Sequence, residues 1–183
     1  MCTVSYISID DGFILTSNRD ELASRPTLHP AEYAIKDNLL FVPKDELASG
    51  SWIACDKKGK VSCLLNGAFK KHKRKLPYSR SRGQILIESF AHNNIGDFIE
   101  LVDLNNVEPF TLILIDSNSL VELKWDGRQK FIKNLNIKEN HLWSSTTLYN
   151  EEVARKKETW FNDWLVNHEN DAQKNILNFH QTK

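Results

Sequence analysis

Cys2 stands directly after the initiator methionine. Removal of a Met that precedes a small residue leaves a cysteine whose free α-amine lies beside its own thiol. The reference pKa of such an amine is about 8, so it accepts the thiol proton near neutral pH, directly or through water. One residue then supplies nucleophile and base together. A second concentration of reactive side chains, Asn18-Arg19-Asp20-Glu21, closes an apolar run. Four consecutive polar or charged residues are costly to bury without partners. On composition alone they read as a solvated turn with an Arg–carboxylate pair; together with Cys2 they read as a polar constellation facing the thiol. In the second reading Asp20 accepts a hydrogen bond from the α-ammonium and orients it. Arg19 steadies the thiolate or clamps a substrate carboxylate. Asn66, ahead of Gly67, is either an ordinary turn residue or the amide that donates to a developing oxyanion.

These residues need elements that bring them together. Thr3–Ile9 and Phe13–Thr16 are β-prone runs separated by Asp10-Asp11-Gly12, the pattern of a hairpin. The end of its second strand returns to the start of its first, which makes Cys2 and residues 18–21 neighbours. Arg25–Pro30 reads as loop. A second hairpin, residues 51–55 and 60–65 about Asp56-Lys57-Lys58-Gly59, delivers Asn66 at a strand end. A helix is expected from about Arg82, with Ile85, Leu86, Phe90 and Ala91 turned inward, and a shorter one holds Phe98, Ile99, Leu101 and Val102. Strands are expected at Phe110–Ile115, Leu120–Trp125 and Gln129–Ile132. From Asn150, a capping residue followed by Glu151 and Glu152, the period becomes 3.6, with Val153, Ala154, Trp160, Phe161, Trp164 and Leu165 in one stripe. Hairpins with helices grouped between and after them indicate an α+β fold, and 183 residues without repeat or linker indicate one domain over 1–183.

Composition narrows the function. Lys plus Arg equals Asp plus Glu at 24 each, which argues against a nucleic-acid partner. No apolar run approaches the roughly 20 residues of a membrane span, and the N-terminus has no secretory signal pattern. A soluble, intracellular protein, cytoplasmic by default, is expected. Three cysteines without CxxC spacing and six scattered histidines predict neither a disulfide framework nor a metal site, and no cofactor motif is present. Cys55 and Cys63, in apolar stretches, read as small buried hydrophobes. The run Lys70-Lys71-His72-Lys73-Arg74-Lys75 reads as a solvated loop, because no aromatic is interleaved, rather than as a phosphate or anionic-lipid site.

Several blocks together carry a family resemblance: Met1-Cys2-Thr3, Thr16 to Glu21, Ser24-Arg25-Pro26, Gly50-Ser51-Trp52-Ile53, Gly59-Lys60, Leu65-Asn66, Ser81-Arg82-Gly83, Trp143 to Leu148 and Arg155-Lys156. They resemble the family named for its Asn-Arg-Asp-Glu motif, which includes the eukaryotic transport and Golgi organization protein. That family is similar to the N-terminal-nucleophile hydrolases of the bile-salt hydrolase and penicillin V acylase group. The resemblance implies a four-layer αββα sandwich of antiparallel sheets. It implies Cys2 as nucleophile, Asp20 on the α-amine, Arg19 assisting and Asn66 at the oxyanion. Asn18 and Arg155 are implied as substrate contacts. The hydrolases place Arg before Asn in the second strand, whereas here the order is Asn18-Arg19. Ser145 stands where many members have Asn. The chain ends at Lys183, where relatives continue into further strands, so either a short member or a truncated product is expected, and a missing strand would leave a sheet edge unpaired or open the pocket. The implied function is a cysteine amidohydrolase working on a small linear amide through a Cys2 thioester. Its alternative is a non-catalytic binding or trafficking protein, for secretory-pathway organisation or haem movement as in the eukaryotic relatives.

Overall fold

The computed structural model describes residues 3–19, 24–35, 38–47, 49–75, 77–168 and 171–182. Both hairpins read from the sequence are present, and each seeds a different sheet. β1 (Thr3–Ile9) and β2 (Gly12–Ser17) pair antiparallel about Asp10-Asp11. Gly12 follows at φ +144°, a conformation that strains any side chain. β10 (His141–Ser144) adds to the other edge of β1, giving a three-stranded sheet of order β10-β1-β2. The second hairpin, β5 (Ile53–Asp56) and β6 (Val61–Asn66), lies in a seven-stranded sheet of order β3-β4-β5-β6-β7-β8-β9. Its other members are β3 (Thr27–Ile35), β4 (Asn38–Asp45), β7 (Phe110–Ile115), β8 (Leu120–Trp125) and β9 (Lys130–Leu135).

Three turns of the larger sheet open with an aspartate whose Oδ1 accepts the N–H two residues on: Lys58 on Asp56 at 2.8 Å, Asn118 on Asp116 at 3.0 Å and Arg128 on Asp126 at 2.7 Å. Such side-chain turns satisfy backbone donors that no ladder reaches.

Strand alternation then builds the layers. On the outer face of the larger sheet, Leu40, Leu64, Phe110, Leu112 and Leu123 pack against Ile85 and Leu86 of α1 (Arg82–Glu88) and Phe98 of α2 (Ile95–Leu101). Between the sheets, Val4 and Tyr6 of β1 meet Cys63, Leu65, Ile113 and Leu120. On the far face of β1, Ile7 packs with Phe161 of α3 (Glu151–Asn167) and with Ile176 and Phe179 of α4 (Ala172–Gln181). The order is helix, sheet, sheet, helix: the expected αββα sandwich. Each of these fully buried large side chains contributes about 2 kcal/mol relative to exposure. No helix among the described residues is long and apolar enough to cross a membrane.

The helix starts agree with their sequence signals. Ser81 accepts from Gln84 N at 3.2 Å while its own N–H donates to Gln84 Oε1 at 3.0 Å, a capping box. Asn150 accepts from Val153 N at 2.9 Å.

Three expectations are corrected. Arg25–Pro30 is not all loop: β3 begins at Thr27, and Pro30 is accommodated because β3 is an edge strand whose register shifts between Leu28 and Ala31. Cys55 is half-exposed, since the inner face of β5 is only partly covered. Ala91, the last residue of a short 3-10 turn, is exposed. β4, β10 and α4 were not read from the sequence, although α4 carries a helical spacing in Ala172, Ile176 and Phe179, all buried.

α4 is tied to β1 and β2 by a buried polar chain. Asn18 Nδ2 donates to the His180 carbonyl at 2.8 Å, and this orients the amide so that Asn18 Oδ1 faces His180 Nδ1. Nδ1 therefore carries the proton, and Nε2 accepts from Ser5 Oγ at 2.7 Å. Burial, aided by the nearby Lys157 charge, pushes His180 down to about 4. The unfolded chain then binds the extra proton between its ordinary value of about 6.5 and about 4, so stability falls as pH falls through that window. After discounting for solvent, the expected loss is about 2 kcal/mol. Melting curves at pH 7 and pH 4.5 should show it, and His180→Gln should flatten this part of the dependence; an unchanged slope in that variant rejects the assignment.

Candidate functional site

β2 and β6 finish at the same end of the sandwich, and the described parts of the candidate site converge there. Asn18 N–H donates to the Thr3 carbonyl at 3.0 Å, so the end of β2 returns beside the start of β1, as the hairpin required. Cys2 and Asp20 lie outside the described residues, and so does Glu21. By alternation from Phe13 and Leu15, which face the other sheet, Asn18 points to the helix layer and Arg19 to the opposite side. Arg19 enters a cleft of roughly 840 Å³ that Asn66 also lines. The order Asn18-Arg19 therefore delivers the arginine to the cleft.

Arg19 is held firmly. Its Nη2 lies 2.8 Å from Asp45 Oδ2, and its guanidinium stands 4.6 Å over the Trp52 ring. Arg25 Nε reaches the same oxygen at 2.7 Å. Asp45 closes β4 and is itself buried. A carboxylate shared by two guanidiniums fixes both in direction, and charge-assisted bonds of this kind are roughly twice as strong as neutral ones.

Asn66 is placed from behind. Its backbone carbonyl accepts from Ser145 Oγ at 2.9 Å, and Ser145 Oγ lies 2.9 Å from Thr147 Oγ1. Ser145 thus braces the β6 end. The Asn66 side-chain amide has no hydrogen-bond partner among the described residues and opens on the cleft. Gly67 follows at φ +83°, where a Cβ would stand 2.3 Å from Thr146 Oγ1.

The cleft wall explains two further sequence blocks. A Cβ on Gly50 would lie 2.8 Å from the Gly83 carbonyl carbon, and one on Gly83 would lie 2.9 Å from the Ser51 carbonyl oxygen. Gly50-Ser51-Trp52 and Ser81-Arg82-Gly83 are therefore packed backbone to backbone. Only glycine at both positions permits that approach.

Neither described cysteine is an activated thiol. Cys63 is fully buried between the sheets, and burial pushes it up to about 12 against the smaller opposing effect of a Ser17 hydrogen bond. Cys55 is raised by burial and then by Asp56. Thiolate chemistry at neutral pH is disfavoured at both. Among the described residues no group of three His, Cys, Asp or Glu side chains is placed to hold a metal ion.

Two implied substrate contacts stand elsewhere. Asn18 is spent on His180. Arg155 is on the outer side of α3, its Nε 3.4 Å from the Glu151 carbonyl. Two residues later the helix has turned about 200°, so Lys157 is the side chain that reaches the sheet, 3.2 Å from Thr3 Oγ1 and 4.4 Å from the Tyr149 ring centroid. Asp45 and Lys157 were not singled out from sequence. The one available signal for Asp45 was a carboxylate three residues beyond the apolar run Leu39-Leu40-Phe41-Val42.

Comparison with known proteins agrees with this architecture. The family described as Transport and Golgi organisation 2 matches residues 1–182. No curated protein matches in sequence. Among solved structures, the Caenorhabditis elegans ortholog of N-acylethanolamine-hydrolyzing acid amidase is similar at TM-score 0.59 and 11% identity, over 85% of this chain and 73% of that one. Penicillin V acylase from Agrobacterium tumefaciens gives 0.54 and 10%, over 88% and 57%. A variant of the conjugated bile acid hydrolase from Clostridium perfringens gives 0.54 and 9%, over 87% and 57%. The chain thus spans little more than half the length of the latter two proteins. At such identities the likeness concerns the fold, which is that of the N-terminal-nucleophile hydrolases.

Proposed function

The chain belongs to the Transport and Golgi organisation 2 family, and from that membership and its fold we propose that it is a cytoplasmic, cysteine-dependent hydrolase of a small linear amide. After loss of Met1, the α-amine of Cys2 takes the thiol proton and Asp20 holds the resulting ammonium. The thiolate adds to the amide carbonyl, and the oxyanion is stabilised by the Asn66 amide, with Arg19 supplying positive charge. Collapse breaks the C–N bond; the leaving amine takes the proton from the α-ammonium, and a Cys2 thioester remains. Water, deprotonated by the α-amine, adds to the thioester, and the acid departs as the thiol is restored.

The observation that carries this reading is the pairing in one cleft of a firmly held Arg19 with an Asn66 amide that has no partner among the described residues. Family membership itself favours a second reading, a binding or transport protein that keeps the scaffold without the chemistry.

Mass spectrometry and a substrate screen separate the two. A chain lacking Met1, labelled rapidly at Cys2 by an electrophile near pH 7, and turnover of at least one member of an amide library support hydrolysis. Retention of Met1 blocks the free amine and selects the binding reading.

A further inference from the structure

The basic run from Lys70 to Lys75 has no part in the amide chemistry, and the structure does not leave all of it as solvated loop. Lys71, His72 and Arg74 line the cleft that holds Arg19 and Asn66. Two of them meet on one carboxylate: His72 Nε2 and Arg74 Nε lie 3.1 and 3.4 Å from Glu108 Oε1. Arg82 Nη2 stands 3.4 Å from Oε2. The Glu108 side chain is only 10% exposed, so a buried charge gathers cations at the wall and sets their directions.

One carboxylate does not neutralise this wall. Among the described residues lining the cleft, six are Arg or Lys and two are carboxylates, and a third carboxylate, Glu88, pairs with Arg80 from outside the lining, in a chain of zero net charge. A concave surface with such an excess focuses its field on a guest of opposite sign. Donors remain for that guest. Arg74 is 65% exposed and has four further N–H groups besides the Nε that faces Glu108. Lys71 is exposed and has no carboxylate partner among the described residues.

We propose that this wall is an anion subsite, which holds a phosphate or carboxylate group of the ligand through Lys71 and Arg74 on the framework set by Glu108. That the anion belongs to an amide substrate rests on the hydrolase reading; the subsite itself does not.

The test uses Cys2→Ser protein, so that binding is read without turnover. Inorganic pyrophosphate and citrate are titrated separately at low salt by calorimetry. Binding of at least one, weakening steeply as salt rises, is expected, and the tighter of the two identifies phosphate or carboxylate as the group. Arg74→Gln and Lys71→Gln should each weaken it about tenfold, and both positions are exposed enough to leave folding intact. Lys57→Gln, at a lysine paired with Glu32 and outside the cleft, should leave it unchanged. Absence of binding by both anions, or affinity unaltered in Arg74→Gln and Lys71→Gln, overturns the proposal. Anion binding without any amide turnover keeps the subsite and removes the hydrolase reading; turnover with no anion binding does the reverse.

Discussion

Cys2→Ser protein is expected to lose amide hydrolysis by about 1,000-fold or more, equivalent to about 4 kcal/mol in the barrier, with its melting temperature within about 2 °C of the parent. The size follows from the division of labour. In the proposed cycle the sulfur forms the covalent bond, and no other described thiol substitutes for it: Cys63 is fully buried with its thiol pushed up to about 12, and Cys55 is raised as well. Serine keeps the size and the α-amine but replaces a thiol whose ordinary pKa is about 8.5 with a hydroxyl that the amine scarcely deprotonates. The measurement is release of amine from whichever substrate the screen yields, beside thermal unfolding of both proteins. Equal rates in parent and variant would remove cysteine from the mechanism, whatever the fold resembles.

Gly50→Ala should destabilise the protein by about 3 kcal/mol, lowering the melting temperature by roughly 6–12 °C. The added methyl would meet backbone: Gly83 C at 2.8 Å, Gly83 Cα at 2.9 Å and Gln84 N at 3.2 Å. No side chain is there to rotate away, so the Gly50-Ser51-Trp52 segment and the first turn of α1 must separate. Because Trp52 lies under the Arg19 guanidinium, separation also loosens the cleft. Gly59 provides the control. It has φ +87° but open space around its Cβ position, so Gly59→Ala bears only the left-handed backbone cost of about 1 kcal/mol. If the two variants melt alike, the backbone contact between Gly50 and Gly83 is not what the first position requires.

These two predictions differ in kind. The proposal for Cys2 comes from the sequence alone, because an amine and a thiol on one residue need no fold, and Cys2 lies outside the described residues. Gly50 was legible only as part of a block; its reason, a helix start passing within contact distance, belongs to the packed structure. Arg19 lies between these cases. Its type suggested a role, and the reversed order Asn18-Arg19 left open which side chain serves it. Strand parity decides: one step along β2 is one change of face, so Asn18 goes to His180 and Arg19 to Asp45.

Local signals determined the local elements. The Asp-led turns, the capping box at Ser81, the Asn150 cap and the apolar alternation of β1, β6, β7 and β8 are all interactions between residues a few positions apart, and sequence displays them directly. The likeness of the motif blocks also pointed to the αββα sandwich. What sequence left undetermined depends on long separations. β10 has only four residues and acquires its identity from pairing with β1, and the docking of α4 on Ile7 is likewise a choice made over a long separation. Glu108 collects cations from the basic loop and the start of α1, and Asp45 collects Arg19 from β2. Such partners are chosen by which surfaces meet once the apolar layers are buried, and that choice is made by the whole core rather than by any window of the chain.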